Sequence, residues 1–108
     1  MKKILLVLSL FSVLGLFGAT VFAEKPSSVS LGESEYKEHC AVCHPNGDNI
    51  INQKKSLHKR DLEMNKIMTE TDIVKLIRNP GPGMTKFDNK TITDKEARAI
   101  AQYILKTF

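Results

Sequence analysis

The sequence predicts an all-α domain of three to five short helices. Two segments carry helix-start signals, at residues 69–72 and 93–96, where a threonine precedes an acidic residue by three positions. Each signal is followed by apolar residues at helical spacing, and no segment alternates convincingly between apolar and polar residues. The chain has 108 residues, which suits one small domain.

A similar capping pattern at residues 30–33 opens the first predicted helix, which runs to about Cys43. Gly32, Tyr36 and Cys40 recur every four residues in this segment. This spacing places all three along one face of the helix.

The remaining elements follow from turn and helix signals. Residues 45–49, rich in Pro, Asn and Gly, predict a loop, and residues 56–65 are expected to hold one or two short helices. A helix begins near residue 69 and stops at the Pro- and Gly-rich segment 79–83. An amphipathic terminal helix follows residues 93–96.

The N-terminus has the features of an export signal. Lys2 and Lys3 precede the mostly apolar residues 4–22, and Ala23 ends a sequence typical of signal-peptide cleavage. Residues 1–23 are therefore predicted to be a signal peptide, with an uncleaved membrane anchor as the alternative. Export suggests the periplasm, or the thylakoid lumen in a photosynthetic host.

After cleavage, residues 24–29 form a polar leader and residues 30–108 form the predicted domain. The full chain has a net charge of +4, and removal of Lys2 and Lys3 leaves 14 basic and 12 acidic residues, a charge of +2. This weak positive charge does not indicate nucleic-acid binding.

The two cysteines of the chain lie in the pentapeptide Cys40-Ala-Val-Cys43-His44. This pattern is typical of covalent attachment of haem c through both thiols, with the histidine as an iron ligand. A redox dithiol would be expected after a strand, and a structural zinc site would need four ligands. A disulfide between Cys40 and Cys43 would close too small a loop to stabilise the fold much.

The second axial position of the iron has several candidates. Met84 is preferred because it follows a Pro- and Gly-rich segment that cannot be helical and could aim its sulfur at the iron. His58, Met64 and Met68 are the alternatives, as is an empty position. Core packing is the expected role of Met64 and Met68, because their segment looks helical.

Two other polar features are expected at the protein surface. His39 precedes the attachment motif and is expected at a solvated helix position. A basic cluster surrounds His58 and predicts either a solvated face or a docking site for an acidic partner; it consists of Lys54, Lys55, Lys59 and Arg60.

The chain resembles class I cytochromes c, and within them the small soluble "c-six" type, over nearly all of residues 30–108. The matching positions are Gly32, Tyr36 and Cys40, then Cys43-His44, Asn49 to Asn52, Lys55 to Leu57, Leu62 to Asn65, Met84, Phe87 and Tyr103. The resemblance implies a class I fold wrapped around one haem. It also implies His44 and Met84 as axial ligands, and a first helix whose Gly32 admits Tyr103 of the last.

The chain departs from this family at two positions. Thr85 follows Met84 where the family usually has proline, and Leu76 stands where the family often has glutamine. An apolar side chain at Leu76 removes a dipole near the iron, so we expect a lower reduction potential than in photosynthetic members.

The sequence therefore predicts an exported monohaem c-type cytochrome that carries single electrons between redox-partner proteins. It is expected to be a monomer and to have no catalytic residue. The alternative is a five-coordinate haem protein that senses small gases or reduces peroxide, for which an open iron position is needed. A docking subunit of a larger enzyme is a third possibility.

Overall fold

The computed structural model describes residues 27–108, together with Gly18, Val21 and Glu24. The predicted signal peptide, apart from two isolated positions, and part of the polar leader lie outside the described residues. Among the residues that are described, none belongs to a helix with the length and apolarity needed to cross a membrane.

Residues 27–108 form helices and loops without any strand, which confirms the all-α prediction. Two short 3₁₀ turns lie between the first two helices, at Pro45–Gly47 and Gln53–Lys55. The four α-helices are α1 (Ser28–His39), α2 (Lys59–Met64), α3 (Glu70–Arg78) and α4 (Asp94–Thr107).

Helices α3 and α4 begin where their capping signals predict. The Thr69 hydroxyl accepts the Asp72 amide at 3.2 Å, and the Asp72 carboxylate accepts the Thr69 amide at 3.0 Å. In the same way, the Thr93 hydroxyl accepts the Glu96 amide at 3.3 Å, and the Glu96 carboxylate accepts the Thr93 amide at 2.8 Å. Each pair satisfies amide groups that a helix start would otherwise leave without partners.

Helix α1 differs from its prediction at both ends. Ser27 is its N-cap and accepts the Ser30 amide at 3.3 Å, so the N-cap lies three residues before Ser30, the predicted one. It ends at His39 because the Ala41 amide donates to the Tyr36 carbonyl, five residues back, and breaks the regular pattern.

The crossing of α1 and α4 depends on Gly32. A Cβ atom at this position would lie 2.0 Å from the Ala99 carbonyl oxygen and 2.9 Å from the Tyr103 Cβ. The contact between Gly32 and Tyr103 that the resemblance implied is therefore present. A backbone oxygen cannot move aside as a flexible side chain can, so the two helices would have to separate.

Replacing Gly32 with alanine should lower the free energy of unfolding by about 3 kcal/mol or more, because the methyl group overlaps the backbone of α4. Denaturant unfolding of the haem-loaded protein measures this loss. Ser34→Ala is the control, since Ser34 is an exposed position of the same helix and does not line the cavity described below. Equal stability of the two variants would contradict the expected clash.

The apolar core lies between α1, α3 and α4. Ile92 and Ile100 are its largest fully enclosed side chains, and Ile73, Ile77 and Ile104 are 3–4% exposed. Four of these five isoleucines, all except Ile92, also form part of the wall of a large cavity. The core is therefore completed on one side by whatever fills that cavity.

Candidate functional site

The cavity has a volume of about 610 Å³. Residues of α2, α3 and α4 line it, and α1 contributes its last residue, His39. This volume is within the range of about 300–1,000 Å³ that is usual for sites of small molecules and cofactors. Its wall is mainly apolar, and a few polar groups converge on it. Cys40, Cys43, His44 and Met84, which are the four site residues predicted from the sequence, all line it.

The attachment motif follows directly after the end of α1. Cys40 is the C-cap of that helix, and its carbonyl accepts the amides of Cys43 at 3.2 Å and His44 at 2.9 Å. One further turn therefore brings all three side chains to the cavity wall, although α1 stops before the predicted end at Cys43. Both cysteines are partly buried and form no disulfide.

The environment of Cys40 suits a sulfur that does not ionise. Burial raises the pKa of the Cys40 thiol to about 11, and the Glu35 carboxylate acts in the same direction. A thioether has no proton to lose, so covalent attachment of haem would remove this penalty.

The His44 ring is held by a backbone carbonyl. His44 is 9% exposed, and its Nδ1 lies 2.8 Å from the Asp48 carbonyl oxygen. A carbonyl can only accept, so Nδ1 carries the proton and Nε2 keeps its lone pair for a metal. This is the arrangement in which histidine serves as an oriented metal ligand.

Met84 reaches the cavity from the loop that follows α3. Gly83 has a φ of +89°, a conformation that favours glycine, and the Met84 amide lies 3.5 Å from the Gly81 carbonyl oxygen. The end of this loop is tied to α3 by the Phe87 amide, which donates to the Ile77 carbonyl at 3.1 Å. Met84 remains 38% exposed, at the border between the cavity and solvent.

The other candidates for the second ligand lie outside the cavity wall. His58 Nε2 is 2.8 Å from a carboxylate oxygen of Asp48. Met64 and Met68 are 70% and 66% exposed, so the expectation that they pack in the core is wrong. Helix α2 has only six residues and buries Leu62 alone, which leaves Met64 on the solvent side.

His39 is partly buried, so the expectation that it is solvated is wrong. Its side chain is 19% exposed, lies 3.4 Å from a Glu35 carboxylate oxygen and contacts the Phe87 ring edge-on at 5.8 Å. It lines the cavity together with Phe87. Leu76 lines the cavity as well, which is the location that its expected effect on the reduction potential requires.

Sequence reasoning missed the groups that orient His44. The Asp48 carbonyl is a backbone group, which every residue type has, so the amino-acid sequence does not indicate its role. The Tyr36 hydroxyl donates to the His44 carbonyl, whereas the sequence predicted only that Tyr36 shares a face with Cys40. A tyrosine at an otherwise apolar helix position was the one available signal.

Comparisons with known proteins show which family the chain is similar to. A family model described as cytochrome c oxidase, cbb3-type, subunit III matches residues 27–104. The chain is 31% identical to cytochrome c6 of Pyropia yezoensis over 106 residues, which cover 96% of this chain and 92% of that protein. It is also 31% identical to cytochrome c6 of Cyanidium caldarium over 74 residues, covering 68% of this chain and 66% of that one.

Solved structures show the same fold. OmcF, an outer membrane cytochrome of Geobacter sulfurreducens, superposes with a TM-score of 0.69 and is 39% identical, covering 71% of this chain and 98% of that chain. The class I fold predicted from the sequence is thereby confirmed. Family match, relatives and fold agree: the chain belongs to the class I c-type cytochromes, whose cofactor is covalently bound haem c.

Proposed function

We propose that the protein carries single electrons between redox partners. In this proposal one haem c is joined to Cys40 and Cys43 and its iron is ligated by His44 and Met84. The observation that carries the proposal is that these four side chains, and none of the alternative ligands, line one largely apolar cavity.

Different residues of the chain would attach the haem, orient the His44 ring and exclude water from the iron. Cys40 and Cys43 hold the cofactor, while the Asp48 carbonyl fixes the proton of His44 on Nδ1 and leaves Nε2 for the iron. The apolar wall keeps water from the iron and lowers the local dielectric. Bound haem supplies an iron that exchanges one electron without a change of ligands.

No side chain of the cavity needs to donate or remove a proton in this function, so we expect no enzymatic activity. A five-coordinate haem protein would need an open iron position, whereas Met84 occupies the cavity wall. The soft, neutral sulfur of methionine favours ferrous iron and a raised potential.

The spectrum of the oxidised protein and the reaction of the reduced protein with carbon monoxide test this proposal. Ligation by His44 and Met84 should give the weak far-red absorption of a sulfur–iron bond and no carbon monoxide adduct. Absence of that absorption, or ready binding of carbon monoxide, would support the five-coordinate alternative.

We further propose that the basic cluster guides an acidic partner to the cavity. Lys54, Lys55, Lys59 and Arg60 are all exposed, and Lys55 lines the cavity. Exposed apolar side chains lie nearby, with Ile51 at 65% exposure also in the cavity wall. An apolar contact area beside positive charges is the arrangement expected for a short-lived complex with an acidic protein.

The rate of electron exchange with an acidic redox protein, such as a flavodoxin, should therefore fall as the salt concentration rises. Replacing Lys54 and Lys55 together with glutamate should lower the rate at low salt by about tenfold or more, because charge steering is lost. Stopped-flow absorbance measures both effects. The exposed Lys90, which does not line the cavity, provides the control Lys90→Glu. A rate that does not change with salt would exclude steering.

A further inference from the structure

The phenol of Tyr36 lies behind the attachment motif and is 3% exposed. Its hydroxyl donates to the His44 carbonyl oxygen and accepts the Gly47 amide at 3.1 Å. Both hydrogen-bonding functions of the hydroxyl are thus used on the backbone at the two ends of one tight turn. A buried hydroxyl needs a hydrogen-bond partner, and this one takes both of its partners from the same turn.

The turn between His44 and Gly47 is an unusual piece of backbone. Asn46 and Gly47 have φ values of +53° and +81°, in the left-handed region. The Gly47 amide also lies 3.2 Å from the His44 carbonyl oxygen, which closes the turn. This path brings the next residue, Asp48, back to the His44 ring, where its carbonyl oxygen lies 2.8 Å from Nδ1.

We propose that Tyr36 is a positioning residue for His44: its hydroxyl fixes the turn that holds the Asp48 carbonyl against the Nδ1 proton of the imidazole. The inference rests on the proposed function, in which His44 ligates the iron. A hydrogen bond from Nδ1 orients the ring and makes the imidazole a stronger electron donor to a metal. Tyr36 thereby influences the iron without touching it.

The surroundings of Tyr36 separate the role of its hydroxyl from that of its ring. The ring packs against Tyr103 and Phe108, with centroid distances of 5.3 Å to each. Phenylalanine at this position keeps these contacts and removes only the oxygen. Burial also raises the pKa of Tyr36, so the hydroxyl stays a neutral donor throughout the neutral range.

The test compares the haem-loaded wild type with Tyr36→Phe. In the reduced, diamagnetic protein, exchange of the His44 Nδ1 proton with solvent deuterium, followed by NMR, should be about fivefold faster in the variant, as expected for one lost hydrogen bond. The reduction potential should rise, because a looser Nδ1 hydrogen bond makes the imidazole a weaker donor and favours ferrous iron.

Tyr103→Phe is the matched control. It makes the same chemical change in the same aromatic cluster, and within the described residues the Tyr103 hydroxyl has no hydrogen bond to residues 44–48. The proposal is supported if only Tyr36→Phe changes the proton exchange and the potential. It is overturned if Tyr36→Phe matches the wild type, or if the two variants change both quantities equally.

Two measurements on the wild type complete the test. A slowly exchanging Nδ1 proton on His44 supports the proposal, and exchange as fast as that of a free imidazole overturns it even if Tyr36→Phe cannot be purified. The NMR signal of an iron-bound methionine in the reduced protein reports on the proposed function separately. If it is present and Tyr36→Phe has no effect, the positioning role alone is wrong.

Discussion

Replacing both Cys40 and Cys43 with alanine should leave a chain that retains no covalent haem and has lost most of its helical circular dichroism. The thiols are the predicted attachment points, and without the cofactor the cavity of about 610 Å³ would fill with water or collapse. This is the largest effect that we expect from any substitution.

The size of the effect follows from what the cavity wall contains. Leu62, Ile77, Ile100 and Ile104 line it and are each at most 4% exposed. An unfilled cavity costs about 24 cal/mol per Å³, so a wall of these side chains that enclosed about 610 Å³ of empty space would cost about 15 kcal/mol. The whole stability of a domain of this length is about 4–12 kcal/mol. The chain without haem is therefore expected to be largely unfolded.

Far-ultraviolet circular dichroism and a haem stain of the denatured protein measure the two losses. Val42→Ala is the control, because Val42 lies between the two cysteines in the sequence but is 76% exposed. This variant should keep both its haem and its helices. Native-like helicity in the haem-free double variant would show that the polypeptide core is sufficient for folding.

Replacing Met84 with alanine should lower the reduction potential by roughly 0.1–0.3 V, part of the range of about 0.8 V that axial ligands span. Loss of a soft thioether removes a ligand that favours ferrous iron. The far-red absorption of the oxidised protein should disappear, and the reduced protein should bind carbon monoxide at the opened position.

Two other methionines supply controls for this prediction. Met64 and Met68 are 70% and 66% exposed and do not line the cavity, so their replacement with alanine should leave the potential and the spectrum unchanged. Voltammetry and absorption spectra of the three variants show which methionine ligates the iron. A far-red band that survives Met84→Ala but disappears in one of the other two would transfer the ligand role to that methionine.

The sequence predicted those parts of the fold that depend on neighbouring residues. The starts of α3 and α4 were predicted correctly because a capping box is a contact between residues three positions apart. The start of α1 was predicted incorrectly, because Ser27 and Ser30 are both residue types that can cap a helix. The hydrogen bonds that these two serines make in the folded chain show that Ser27 is the N-cap. Its end was misplaced because a helix can stop at any residue whose amide finds a different carbonyl.

The roles of individual side chains around the site depended on distant contacts. His39 is partly buried because Phe87, far away in the sequence, packs against its ring. Met64 is exposed because α2 is short and turns only Leu62 inward. A helical pattern predicts which residues share a face, but not which face another part of the chain covers.

The sequence alone determined the chemistry of this protein, because the residues of the motif from Cys40 to His44 act within one turn and their spacing is a local property. The sequence already favoured Met84 as the second ligand, but only the tertiary structure shows that Met84 shares a cavity with that motif, whereas His58, Met64 and Met68 do not line it. The tertiary structure also decided how His44 is oriented, since the Tyr36 hydroxyl and the Asp48 carbonyl act through hydrogen bonds to backbone and ring atoms. Such bonds depend on how the chain folds back on itself, and this path cannot be predicted from residue types and their spacing.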